Sequence, residues 1–158
     1  MKTELQCIER ASYLFQTAIK CAREYCIEES DRVGRLYYVT PLIAFAITVI
    51  LSENCSVEVF VFRGREESSV LRQLPCGAFS IRHDRCKSFI ERLEHLSVWN
   101  KSDCATKSLD GLLCYHVISS VGSEHCFEMY NPDEVADISY RAIVNLYSTE
   151  FLNSFVAL

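Results

Sequence analysis

Cysteine and histidine are the side chains in this sequence with the widest chemical reach. The 158 residues include nine cysteines and four histidines. The two types converge at one place, where Cys114, His116, His125 and Cys126 flank the turn signal Val121-Gly122-Ser123. If that turn closes a hairpin with an even number of loop residues, Cys114, His116 and Ile118 share a face with His125, Phe127 and Met129. Cys114, His116 and His125 are then the candidate metal ligands. Structural zinc draws on four ligands at characteristic close spacings, and no Cys-x-x-Cys occurs in the chain. The competing reading, two histidines packed among Phe and Met at the edge of a core, needs no metal, and no metal or cofactor is assigned. The other hairpin face would hold Tyr115, Val117, Glu124, Cys126 and Glu128, and its two carboxylates mark it as the expected wet side.

A cysteine nucleophile needs a base and a group that orients the base. Cys76 with His83 and Asp84, and His125 with Cys126, are the pairs that proximity suggests. Composition alone makes such pairs unavoidable, so neither defines a site. His-Glu-x-x-His, Gly-x-Ser-x-Gly and a phosphate-cradling glycine loop do not occur among the five scattered glycines. No catalytic residue is assigned. The acidic residues Glu124, Glu128, Asp133, Glu134 and Asp137 differ from the other carboxylates, because a hairpin followed by a helix start would hold them close together. Asp133 and Glu134 suit a helix N-terminus. The group is also the candidate docking patch for a basic protein.

The elements that position these residues can be read from periodicity. Leu5, Ile8, Ser12, Phe15, Ile19, Ala22 and Cys26 recur at spacings of three and four, which predicts a long amphipathic helix ending near Glu28-Glu29-Ser30-Asp31. Such a stripe covers a sheet or forms a dimer seam, which leaves the oligomeric state open. The apolar run Leu36–Leu51 is shorter than the ~20 residues a membrane helix needs. Thr40-Pro41 reads as the start of a buried helix over Pro41–Glu53. Ser56–Arg63 predicts a central strand covered on both faces, with Glu58 its lone charge before Arg63. Val70–Leu74 and Ala78–Arg82 suggest short strands, Asp84 caps a helix to Leu96, and Leu112–Ser119 with Glu124–Tyr130 forms the hairpin. A last helix starts near Asp133, after Asn131-Pro132, and carries Ile138, Ile143, Leu146, Phe151 and Phe155 on its apolar side. The expectation is a single α+β domain over 1–158, with a mainly antiparallel sheet of three to five strands packed by long N- and C-terminal helices.

Sixteen basic against 21 acidic residues give a net charge of −5, which disfavours nucleic acid and favours a basic partner. The charged start Met1-Lys2-Thr3-Glu4 is unlike a signal peptide, and with the odd cysteine count it predicts a cytoplasmic, reducing setting with no membrane association.

The second half, with Trp99, Leu109-Asp110-Gly111, the strand Leu112–Ile118, the Gly122 turn, Glu124–Tyr130, Asn131-Pro132 and a helix ending near Leu146–Phe151, resembles the small single-domain immunity proteins of bacterial polymorphic toxin systems. The resemblance implies stoichiometric inhibition: a cytosolic protein that binds and neutralises a cognate toxin and carries out no reaction. A secretion chaperone or adaptor, which would dimerise by itself, and a small Cys/His-dependent enzyme, which would carry zinc, are the alternatives.

Overall fold

A computed structural model describes residues 32–39, 43–53, 55–65, 68–73, 77–104 and 113–151. Among the described residues, seven strands form one antiparallel sheet: β1 (Arg32–Val39), β2 (Ile43–Leu51), β3 (Ser56–Arg65), β4 (Ser68–Gln73), β5 (Gly77–Ser80), β6 (Leu113–Ser120) and β7 (Ser123–Tyr130). The spatial order is β4-β3-β2-β1-β6-β7, and β5 also pairs with β3. Two helices, α1 (His83–His95) and α2 (Ile138–Phe151), complete the described α+β architecture. No described helix is long and apolar enough to cross a membrane.

The five strands expected from sequence are joined by β1 and β2. The helix expected over Pro41–Glu53 is instead strand β2, spanning Ile43–Leu51. Ile43, Ile47, Thr48, Val49 and Ile50 are β-branched and favour extended backbone. The alternation that normally reveals a strand is hidden, because Ala46, Thr48 and Ile50 on one face and Ile47 and Val49 on the other are all buried. The N-terminal helix expected from Leu5 to Cys26, and the last residues of the C-terminal one, lie outside the described residues. So do Cys76 and the Leu109-Asp110-Gly111 turn.

Both described helices lie on one face of the sheet. In α1 the buried residues Cys86, Phe89, Ile90 and Leu93 follow helical spacing. Asp84 is not its cap: Arg82 occupies the N-cap position, and Asp84 sits in the first turn, where its carboxylate pairs with Arg82 and suits the helix dipole. Phe89 packs edge-on against Tyr147 and Phe151 of α2, both with ring centroids 4.9 Å away. Edge-on pairs of this kind each add ~0.5–1.5 kcal/mol beyond burial. Glu150 of α2 accepts from Arg92 at 2.8 Å and from Arg85 at 3.4 Å, which fixes the two helices side by side. Beneath them lie Leu36, Ile47, Val49, Val57, Val59, Cys114, Ile118, Phe127 and Met129.

The opposite face is buried as well, although neither described helix packs on it. Val33, Tyr37, Ile50, Tyr115, Val117 and Cys126 are all shielded there. The expected wet side of the hairpin is therefore covered, and only Glu124 and Glu128 among its residues keep partial exposure.

Candidate functional site

The hairpin register places the candidate residues as the alternation predicts. Cys114 pairs with Met129, His116 with Phe127 and Ile118 with His125. Cys114, His116 and His125 thus share the helix-facing side. They are part of the core: all three are buried, and the described residues contain no group of three or more metal-capable side chains.

Each imidazole has a structural partner. His116 Nε2 shares a hydrogen bond of 2.9 Å with the Tyr147 hydroxyl. His125 Nε2–H donates to the Lys101 carbonyl at 2.6 Å. Phe127 lies close to both rings, with centroid distances of 5.3 Å to His116 and 5.8 Å to His125. Complete burial, and next the neighbouring His125, lower the His116 pKa to about 3, so the ring is neutral at physiological pH. Burial also raises the thiol of Cys114 far above its ordinary range. Burial pushes Cys86 up to about 12, with Cys55 beside it as the second cause. Thiols held in this way are poor nucleophiles.

The His125/Cys126 pair does not form, and Cys76 lies outside the described residues. His125 and Cys126 point to opposite faces of β7, and His83 is exposed at the start of α1. Cys126 is disulfide-bonded, whereas Cys55, Cys86, Cys104 and Cys114 are free thiols.

Only four of the five acidic residues lie toward the end of β7 and the start of α2; Glu124 sits beside the hairpin turn, opposite Ser119, at the other end of β7. Asp137 precedes α2 and accepts from the Ser139 backbone N–H at 3.0 Å, a capping contact for a helix start. Its carboxylate also pairs with Lys101 Nζ at 2.8 Å. The Lys101 and Ser139 side chains hold it well below the usual carboxylate range. Asp133 and Glu134 lie in the 3-10 turn Pro132–Glu134 and are exposed. Asp133 is 3.7 Å from Arg141, and Glu134 accepts from the Asn131 amide at 3.5 Å. Glu128 on β7 is half-buried and accepts a hydrogen bond from Tyr115.

Lys101 is the hub of this corner and was not anticipated. Its ammonium contacts Asp137 and the Ser139 hydroxyl and lies 4.7 Å from the Tyr140 ring centroid. The Tyr140 hydroxyl donates to the Ser102 carbonyl at 2.8 Å. Cys104 pairs with the outer edge of β7, its N–H donating to Glu128 O and its carbonyl accepting from Tyr130 N–H, both at 2.8 Å. Residues 98–104 are thereby held between the hairpin edge and α2.

A second buried polar group, on the opposite face, was also missed. Arg35, Thr48 and Glu58 line up across β1, β2 and β3. Arg35 Nε–H donates to Thr48 Oγ1 at 2.9 Å, and its NH1 donates to the Tyr37 hydroxyl at 3.1 Å. Glu58 Oε2 is buried without a hydrogen-bond partner. Burial raises its carboxyl pKa, and Arg35 offsets part of that rise. The available signal was the lone charge Glu58 inside the Ser56–Arg63 run and Arg35 at the threshold of the Leu36–Leu51 run.

No protein-family model matches the chain, and no match was found among curated proteins or solved structures.

Proposed function

We propose that this protein acts by binding another protein, as a cytoplasmic immunity protein that neutralises a cognate toxin with a basic contact surface. The observation that carries this reading is the acidic corner. The exposed Asp133 and Glu134 lie between β7 and α2, with the exposed Asp137 at the start of α2. A net charge of −5 adds a long-range attraction for a basic partner. The described groups with chemical reach fit the same reading: the imidazoles join core elements and burial suppresses the thiols.

The test is co-expression of the chain with the product of the adjacent gene, followed by co-purification. Rescue of growth and a 1:1 complex are expected. Asp133→Lys combined with Glu134→Lys should slow association about tenfold or more at low salt while leaving thermal unfolding unchanged, since both sites are exposed. No complex, or a complex indifferent to the reversal, overturns the reading. A reducing cytosol does not keep an ordinary disulfide. Counting thiols in the denatured, unreduced protein therefore tests the cytoplasmic assignment: nine reactive thiols would support it, and retention of the Cys126 disulfide would place the protein in an oxidising compartment.

A further inference from the structure

Two buried imidazoles tie the β6–β7 hairpin to two different elements. His116 reaches α2 through Tyr147, and His125 reaches the 98–104 segment through the Lys101 carbonyl. Each ring uses only Nε2, and both Nδ1 atoms are buried without a hydrogen-bond partner. A charged imidazole has two N–H donors. On either ring, one of the two donors would then lack an acceptor in a dry site, and such burial of charge is costly.

We propose that the buried His116 is an acid-sensitive latch, whose proton uptake releases α2, and with it the 98–104 segment tied to α2 by Lys101 and Tyr140, from the hairpin. The groups around the pair favour opening. From α2 comes the Tyr147 phenol, which burial keeps neutral. From β6 comes the Cys114 thiol, also neutral, with the exposed Asp133 beyond it. From β1 the residue opposite His116 is Leu36, and Arg35 belongs to the other face. From the 98–104 segment comes Lys101, already a cation. The carboxylate at Lys101 is Asp137, which is held well below its ordinary pKa and stays ionised where imidazoles charge. No described carboxylate hydrogen-bonds to either imidazole, so a proton on His116 finds no counter-charge and has the His125 ring as its neighbour.

The sign follows from linkage. The His116 pKa lies below its unfolded value of 6.5, so opened states bind more protons than the closed one between about pH 6.5 and 3. Stability of the closed latch therefore falls as pH falls through that window. The latch belongs to the chain alone and does not rest on the proposed partner.

Backbone hydrogen exchange on the full chain, corrected for the intrinsic effect of pH, tests the idea. Between about pH 6 and pH 4.5, the opening constant for 98–104 and for α2 should rise by up to about tenfold per pH unit as His116 takes up one proton. Amides of β1–β3 should stay protected. Trp99, the single tryptophan, is half-buried in this segment, and its emission should shift to the red over the same range. His116→Phe with His125→Gln, in which the Gln amide can still donate to the Lys101 carbonyl, should flatten both signals. Protection independent of pH in the wild type, or an unchanged transition in the double variant, overturns the latch. Side-chain NMR of the wild-type imidazoles needs no variant. A His116 ring that stays neutral while the 98–104 segment and α2 open with falling pH would also overturn it.

Discussion

Gly34 lies on β1 beneath the junction of α1 and α2, where a side chain has no room. A Cβ there would stand 2.7 Å from the Tyr147 hydroxyl oxygen, 2.8 Å from Leu93 Cδ1 and 3.5 Å from Ile90 Cδ1. Tyr147 cannot withdraw cheaply, because its ring sits edge-on against Phe89 and its hydroxyl is bonded to His116. Overfilling a packed core costs ~1–3 kcal/mol. Replacing a strand glycine returns ~0.5–1 kcal/mol of backbone entropy. Gly34→Ala should therefore destabilise the protein by ~1–2 kcal/mol. Tyr147→Phe removes the oxygen that the new methyl would meet, but leaves His116 Nε2 unbonded at a cost of ~1–3 kcal/mol. The double variant should lose ~1 kcal/mol less than the sum of the single losses, because one atom enters both. Urea unfolding followed by Trp99 emission and far-UV circular dichroism measures the cycle, with unchanged m-values confirming a common unfolded state. A Gly34→Ala protein as stable as the wild type, or additivity within ~0.3 kcal/mol, would refute the close-approach argument.

Three further predictions concern other buried groups. Burial raises the Glu58 pKa above its unfolded value, so its favourable contribution is complete at low pH and is lost as pH rises through the folded value. Glu58→Gln should match the wild type near pH 4 and exceed it by up to ~1 kcal/mol at pH 8 in urea unfolding; a gap of opposite sign would contradict this. Lys101→Met keeps the apolar stem but loses Asp137, Ser139 and the Tyr140 ring. A loss of ~1–2 kcal/mol and faster exchange in 98–104 are expected, and an unchanged midpoint would remove Lys101 as the hub. Cys55, Cys86 and Cys114 should resist a thiol reagent at pH 8 until the protein unfolds, with half-buried Cys104 reacting first among the described free thiols. Native reaction as fast as in denaturant would exclude the burial described.

Local signals carried the hairpin and α1. The even-residue turn at Gly122 fixes which residues of β6 and β7 share a face, and the three-and-four spacing of Phe89, Ile90 and Leu93 defines the buried side of α1. These patterns survive because each depends on neighbours in sequence. β1 and β2 were not legible in the same way, because a strand buried on both faces loses its alternation, and Thr40-Pro41 imitates a helix start. The Arg35–Thr48–Glu58 row was hidden for a different reason: its members meet only through the register of three strands. Lys101 was hidden because its value lies in distant contacts with Asp137 and Tyr140.

The acidic corner and the histidine latch share their supports. Asp137 caps α2 and neutralises Lys101, so its charge is spent inside the protein. Asp133 has only a long, exposed pair with Arg141, and exposed pairs of that kind contribute little to stability. Asp133 and Glu134 are therefore the charges that a partner can engage at least cost, while Asp137 helps to set where they stand. The same Lys101 that holds Asp137 accepts His125 through its carbonyl. Reversing Asp133 and Glu134 should alter association and leave the fold intact, whereas charging His116 should first loosen the layer that aligns α2 with β7. The two perturbations act on adjacent atoms through different links, so measuring both on the same protein separates a lost contact from a lost scaffold.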